Sequence, residues 1–546
     1  MMVAMDTQVT SPNWAFADLW ESIAAHLPDE PAAIWQDRTL SWGEFDRQAN
    51  ALAHALIQAG LGHQSKVGLY CQNRPEYLVG LYACFKAGLV PFNVNYRYGP
   101  TEVGYLLTDG DAEAVLFETA FAGVVSEVRH SNPGVRLWVE IGGSPNDRAS
   151  FEAVVSGEGI KARGPVNPRR DDILILYTGG TTGMPKGVMW RQEDLIGRGG
   201  CVANAALGLD PLSSPDMAGP RAARVPIRPR SYIACPLMHG TGLIAALSAL
   251  NFGGCIILPP SGKFDPATIW SEIERHKATR LTIVGEPFAQ PLLAALDAEP
   301  GRWDLSSLRF LGSSGAMWSA ENKQGLLKHL PEASLADSFS SSEAVGMGSS
   351  VTVAGGVKET ASFSLGADCA VFDEDNRRVE PGSGVRGRVA IGGHIPLGYY
   401  KDPDKTASAF PIIEGKRWSM PGDWAEVNAD GTLHLMGRGS QCINTGGEKV
   451  FPEEVEEALK RHPAVRDAAV AGAPDPRFGE RVCAVVDATQ AVSEADLIAH
   501  VKSQLAAYKA PRHILFVDEV PRGPNGKMDY RTVKSWVLDA LQEMAS

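Results

Sequence analysis

The chain has no excess of basic residues. Its 51 Lys and Arg are outnumbered by 64 Asp and Glu, a formal net charge of -13 over 546 residues. A nucleic-acid-binding protein carries a basic face, so the composition argues against that class. The same acidic field repels anions, and any site for a polyphosphate must be a local positive island. Cysteine is sparse: none of the eight falls in a C-x-x-C spacing, which leaves no zinc ribbon or redox pair to invoke. Scattered thiols in a chain this large fit burial in a reducing cytosol, so a cytoplasmic protein is expected. Long apolar runs are missing too. The longest, 242–258, is broken by Ser248, Asn251 and Gly253-Gly254 and reads as core rather than as a membrane span. The first thirteen residues lack the basic-then-apolar order of a signal peptide, and no internal repeat is found. What remains is ordinary globular material, 44% hydrophobic and 21% charged, in a chain too long for one core. Two or more domains are expected.

The most informative stretch is Tyr177-Thr178-Gly179-Gly180-Thr181-Thr182-Gly183-Met184-Pro185-Lys186-Gly187. It follows the apolar run 172–176, which reads as a buried strand. Glycines let backbone N–H groups approach an anion closely. Thr178, Thr181 and Thr182 add hydroxyl donors, and Lys186 adds a mobile positive charge. This is equipment for cradling a polyphosphate. It is not a Walker loop, because Pro185 precedes the lysine and Gly187 follows it, where that pattern needs Gly-Lys and then Ser or Thr. Proline also offers no N–H, so the loop is expected to cover phosphates as a flap. The competing reading is a Gly/Thr-rich surface turn between strands.

The string resembles the phosphate loop of the adenylate-forming superfamily, which comprises acyl-CoA synthetases, adenylation domains of peptide synthetases and firefly-type luciferases. Gly179 stands where that family commonly has serine. The continuation Val188-Met189-Trp190-Arg191 is similar to bacterial ligases acting on fatty acids and steroid side chains. The resemblance extends from about Trp14 to Leu541 and is poorest over Leu207–Ser231, a proline-rich stretch expected to be a loop. Its arginines, Arg221, Arg224, Arg228 and Arg230, read as a solvated surface in preference to a patch for CoA phosphates.

The resemblance implies roles in chain order. His239, in Ala234-Cys235-Pro236-Leu237-Met238-His239-Gly240, lines the acyl or nucleotide pocket, with Gly285 and Ser314 also at the acyl pocket. Gly315 and Ala316, after a strand near 308–311, pack on adenine. In Asp337-Ser338-Phe339-Ser340-Ser341-Ser342-Glu343, Asp337 accepts from the adenine amino group and Phe339 stacks on the base. Ser338 and Ser342 join that site, and Glu343 offers the hard oxygen that Mg²⁺ prefers. Phe339 and Ser340 depart from the family's tyrosine and glycine. Asp423 takes the ribose hydroxyls, Arg438 reaches ribose or phosphate, and Gln441 falls at the hinge. Gly446-Gly447 lies near the CoA tunnel. Lys527, in Pro521-Arg522-Gly523-Pro524-Asn525-Gly526-Lys527, is the catalytic lysine, with Thr182 and Glu343 beside it in catalysis.

The expected fold is α/β: a large N-terminal domain of several subdomains over 1–440 and a small, mobile α+β domain over 441–546. In the second, Pro452 opens a helix with acids in its first turn and bases in its last. Strands are expected near 467–471, 482–486 and 513–517, and Ser493 caps a further helix. The implied activity is ATP- and Mg²⁺-dependent ligation of a hydrophobic acid to coenzyme A through an acyl-adenylate. The pocket motifs carry no aspartate to hold a substrate amine, which points away from amino acids. A separate carrier protein as acceptor, a luciferase-like oxygenase and a non-catalytic nucleotide/lipid sensor are the competing readings. Retention of Glu343 and Lys527 counts against the sensor. Partners are small molecules, with peripheral membrane association and a homodimer left open.

Overall fold

Short apolar runs alternate with helical stretches in the first hundred residues, and this pattern builds a parallel sheet. The computed structural model describes residues 14–545 except 144–147, 158–168, 170, 179–184, 199–208, 210, 261–263, 317, 357–361, 446–447, 476–478, 506 and 524–526. The strands Ile173–Thr178, Val90–Asn93, Lys66–Tyr70, Ala112–Glu118 and Leu137–Ile141 lie side by side and parallel in an eight-stranded sheet. Helices such as Trp42–Gln58 and Pro75–Ala87 cover it. The first starts where Ser41 Oγ accepts the Glu44 N–H at 3.2 Å, the cap that the sequence predicts.

A second sheet of 13 strands carries the large cavity. Its parallel centre runs Ser334–Ser341, Phe310–Ser314, Arg280–Ile283, Arg230–Ile233 and Cys255–Leu258. Because side chains alternate across a strand, one face buries Tyr232, Leu281, Ile283, Leu311 and Leu335 against helices 266–276, 286–298 and 320–329. The other face is left for the cavity. Antiparallel strands, among them Asp423–Val427 and Thr432–Arg438, extend this sheet on one side.

The chain then leaves both sheets through a 3₁₀ turn, Gly439–Gln441, and enters a separate five-stranded sheet. Helices Pro452–Lys460 and Glu494–Gln504 flank that sheet, with Tyr530–Ala545 last. Thus a large α/β domain is followed by a smaller α+β domain, as expected. His513–Val517 is a strand within the predicted bounds, whereas 465–475 and 479–488 are longer than the sequence pattern indicates. The smaller domain has its own core, centred on Val455, Leu459, Val470, Val486 and Val501.

One expectation is corrected. The stretch 211–231 is not simply loop: Ala218–Arg224 is a helix, and Arg230–Ile233 is a central strand. Small residues make this fit. Ala218, Gly219 and Ala222 are buried, and Gly219 N–H donates to Ser22 Oγ at 3.0 Å, so the helix packs on Phe16–His26. The arginines serve the fold here. Arg228 pairs with Glu30 at 2.8 Å, Arg230 donates to the His276 carbonyl at 2.8 Å, and Arg221 lies 5.0 Å from the Phe252 ring centre.

Candidate active site

The cavity measures about 590 Å³. Its floor is the free face of the large sheet: Ser231, Arg280, Thr282, Phe310, Gly312 and Ser314. One wall is a single face of the helix Gly240–Leu250, where Thr241, Ile244, Ala245, Ser248 and Ala249 recur at helical spacing. The opposite wall comes from strands Ala344–Thr352 and Ser362–Leu365.

At the end where Ser314 gives way to Gly315, the predicted residues gather. Thr178, His239, Ser314, Gly315, Ser338, Ser342 and Lys527 all line this one cavity. Gly315 has φ +92, a conformation side chains rarely adopt, and a Cβ there would stand 3.4 Å from Thr241 Oγ1 and 3.7 Å from Lys527 Cε. Both are ordinary contact distances, so it is the positive φ, not crowding by the lysine, that calls for glycine at the strand end. Lys527 is carried by the smaller domain. Its carbonyl accepts the Gly523 N–H at 2.7 Å, which closes the loop that presents it. Arg522 on the same loop pairs with Asp467 at 2.6 Å.

His239 caps the wall helix by position, and its Nε2 is buried with no hydrogen-bond partner among the described residues. Burial pushes its pKa down from 6.5 to about 4, helped by the charges of Lys527 and Arg97. The ring is therefore neutral at pH 7 and presents an unsatisfied nitrogen beside two cations. Those cations supply the local positive charge that an acidic protein needs around an anionic substrate.

Residues outside the predicted set hold this end together. Asn93, buried in a strand of the first sheet, accepts the Tyr177 N–H at 2.7 Å and donates to the carbonyls of Tyr177 and Met238 at 2.9 and 2.7 Å. Asn73 accepts the Leu237 N–H at 2.8 Å and donates to the Cys235 carbonyl at 2.9 Å. These two side chains tie the 235–239 loop to the first sheet. A lone asparagine in an apolar strand is the sequence signal that marks Asn93. Trp190 Nε1 donates to the Ser342 carbonyl at 2.8 Å, Ser419 Oγ to the Glu343 carbonyl at 2.6 Å and Tyr399 O–H to Glu343 Oε1 at 2.8 Å. The Glu343 carboxylate is thereby fixed in the turn next to Ser342, at the cavity edge.

Thr178 and Lys186 face each other across an antiparallel pair of strands, so the glycine-threonine loop is followed by a strand and not by a helix. Gly179, Gly180, Thr181, Thr182 and Gly183 lie outside the described residues, as do Gly446, Gly447 and the side chain of Arg438. Lys186 Nζ pairs with Asp402, whose carboxyl is held below its ordinary value by that contact. Asp423 is buried, and the register sets it opposite residue 438.

Lys186, Glu343 and Asp423 stand outside the lining, and four further predicted pocket residues are not brought into it either. Strand alternation turns Asp337 to the helix face, where it is 5% exposed and accepts from Lys323 Nζ at 3.2 Å. Burial raises its pKa, and the lysine opposes that shift. Phe339 packs on Phe363 with ring centres 5.7 Å apart, so its ring is spent on core packing and not offered to the cavity. Ser338 and Ser340, of opposite parity, take the cavity side. Gly285 sits one residue beyond the lining residue Val284, its N–H donating to Ser313 Oγ at 2.8 Å. Ala316 packs against the main core.

Comparison with known proteins shows the family and the fold. Residues 20–400 match the AMP-binding enzyme family, and residues 454–527 match the AMP-binding enzyme C-terminal domain. A medium/long-chain-fatty-acid–CoA/3-oxocholest-4-en-26-oate–CoA ligase of Mycolicibacterium smegmatis is 42% identical over 541 residues, covering 96% of each chain. A 3-oxocholest-4-en-26-oate–CoA ligase of Rhodococcus rhodochrous is 39% identical, covering 95% of both chains. The crystal structure of an anthranilate CoA ligase in complex with anthranoyl-AMP matches with a TM-score of 0.82 over 97% of this chain and 99% of that one, at 24% identity, a likeness of fold. The chain belongs to the AMP-binding enzyme family.

Proposed function

We propose that this enzyme is an AMP-forming acid–thiol ligase. It joins a hydrophobic carboxylic acid, of the medium- to long-chain fatty acyl or steroid side-chain class, to coenzyme A. The observation that carries the reading is Lys527: a lysine of the smaller domain lines a cavity of the larger one, where Thr178, Ser342 and Gly315 meet a long channel. In the first half-reaction a carboxylate oxygen attacks the α-phosphorus of ATP and pyrophosphate leaves. In the second, the CoA sulfur attacks the acyl carbon, the thiol proton departs, and AMP leaves with the former carboxyl oxygen.

Charge develops around phosphorus and the carboxylate, so the protein works by positioning and electrostatics. Thr178, Thr181, Thr182, Lys186 and the N–H groups of Gly179, Gly180 and Gly183 hold the phosphates. Lys186 exchanges its pairing with Asp402 for them. Gly315 and Ala316 border the base, with Asp337, Ser338 and Phe339 supporting that border from their strand. Asp423 and Arg438 take the ribose. Lys527 bridges carboxylate and α-phosphate, and His239, Ser314 and Gly285 shape the start of the acyl channel. The fixed Glu343 carboxylate fits one Mg²⁺, a hard cation bound through few carboxylates plus phosphate oxygens, and that ion would neutralise phosphate charge when bound. The domains divide at 440/441, Gln441 is the hinge, and Gly446-Gly447 borders the path of CoA after the smaller domain turns. The seven described cysteines are free thiols, in keeping with a cytoplasmic enzyme.

A panel of acids tests the reading. Lipophilic acids should release pyrophosphate without CoA, in an amount limited by the enzyme, and should turn over to AMP and thioester with it. Activity confined to amino acids or acetate would sink the substrate class. Transfer only to an added carrier protein would move the reading to a carrier-loading enzyme, and binding without pyrophosphate release would move it to a sensor.

A further inference from the structure

At the end of the cavity remote from Lys527 the floor is not apolar. Arg280 lines it, with Ser231 beside it in the parallel register and Thr282 two residues along the same strand. Phe310, the register partner of Arg280 on the next strand, lies four residues before Ser314, roughly 13 Å at about 3.3 Å per residue. The Arg280 side chain makes no hydrogen bond or ion pair among the described residues. Its guanidinium carbon lies 5.3 Å from the Phe310 ring centre, a contact that leaves its N–H donors unserved. No partner for the Ser231 or Thr282 hydroxyl is found among the described residues either. Burial lowers the Arg280 pKa, the mark of a charge taken from water without a compensating carboxylate. Arg280 and Thr282 are half-buried at the cavity wall; holding such donors partly out of water with no protein partner costs solvation, and a channel serving plain hydrocarbon gains nothing from them.

We propose that Arg280, flanked by Ser231 and Thr282, receives a carbonyl-type oxygen on the far end of the acyl substrate, a ketone or a second carboxylate. The preferred acid is then lipophilic along its length and oxygenated at both ends. This rests on the reading of the cavity as the acyl site and specifies which acids it favours. A guanidinium fork suits either oxygen. The interaction is distant from the reacting carboxyl, so it is held equally in ground and transition states and should act on KM rather than on kcat.

The test compares a saturated fatty acid, the acid of equal length with a ketone at its penultimate carbon, and the dicarboxylic acid of that length. Each is assayed on the wild type and on Arg280→Met, which keeps an unbranched apolar stem. The wild type should prefer one or both oxygenated acids by roughly 10- to 100-fold in kcat/KM, the range for a hydrogen bond to a charged group. Arg280→Met should lose that preference through KM while its activity on the plain acid holds, which also shows that the variant folds. If Arg280→Met does not fold, the same split is read from Arg280→Gln. Preference for the ketone identifies a neutral acceptor, and preference for the diacid an ionic one. A wild type that uses the plain acid as well as the oxygenated ones, or a variant that loses all acids alike, overturns the proposal. A wild type that activates none of the three acids but does activate short or aminated ones overturns the ligase's substrate class instead, before Arg280 is at issue.

Discussion

Replacing Lys527 by alanine should slow acyl-adenylate formation by on the order of 100- to 1,000-fold, the effect of removing one preorganised donor worth roughly 2.7–4 kcal/mol. The size follows from position. The lysine lines the cavity where Gly315 ends its strand, and its loop is closed by the Gly523 N–H at 2.7 Å. The backbone that carries the ammonium is thus held beside the cavity, where the negative charge of carboxylate and α-phosphate comes together. ATP binding should be mostly intact, because the threonine loop, Lys186 and Asp423 belong to the other domain. The second half-reaction, started from synthetic acyl-adenylate and CoA, should also be spared. Single-turnover assays of each half separate these outcomes. Equal loss in both halves, or loss in neither, would make Lys527 a surface or structural residue.

Gln441→Pro should have the opposite signature. Gln441 ends the 3₁₀ turn between the two domains, where backbone φ is near -50 to -70°. Proline fixes φ at about -65°, so the variant holds the turn in its present form, the one that places Lys527 in the cavity. Contacts on either side support that form: Gly439 N–H donates to the Gly422 carbonyl at 3.0 Å, and the Trp424 and Phe451 rings lie 6.4 Å apart. Acyl-adenylate formation should stay within a few-fold of wild type, while transfer to CoA, which needs the smaller domain to turn, falls on the order of 100-fold, the scale of a misplaced reacting group. A proline also disfavours the helical region at Ser440, and that cost should appear as a lower melting temperature rather than as a bias between half-reactions. Equal slowing of both would place the hinge elsewhere.

Much of this was legible in the chain because it is local. The Ser41 cap, the helix opened by Pro452, the strand at 513–517 and the order of motifs from Thr178 to Lys527 depend on a few neighbouring residues. The remainder depends on sheet phase, which is not local. Whether Asp337 or Ser338 faces the cavity is set by which side of the strand meets helices 286–298 and 320–329, and nothing in the serine-rich stretch itself decides it. Arg280 reads as an ordinary charged residue at a strand start until its neighbours Ser231 and Phe310 are paired with it. Glu343 is fixed by Tyr399, Trp190 and Ser419, which come from three distant segments. At 211–231 the prolines suggested loop, while the small face of Ala218, Gly219 and Ala222 had no visible partner until Ser22 was placed against it.

The central claim is that the acid is activated as a mixed anhydride with AMP in this cavity. The most direct measurement follows the oxygen atoms: the enzyme turns over a lipophilic acid whose carboxyl oxygens carry the heavy isotope, with ATP and CoA, and the products are weighed by mass spectrometry. The account predicts one heavy oxygen in the phosphate of AMP and none in pyrophosphate. Unlabelled AMP, or label in inorganic phosphate or pyrophosphate, would contradict it.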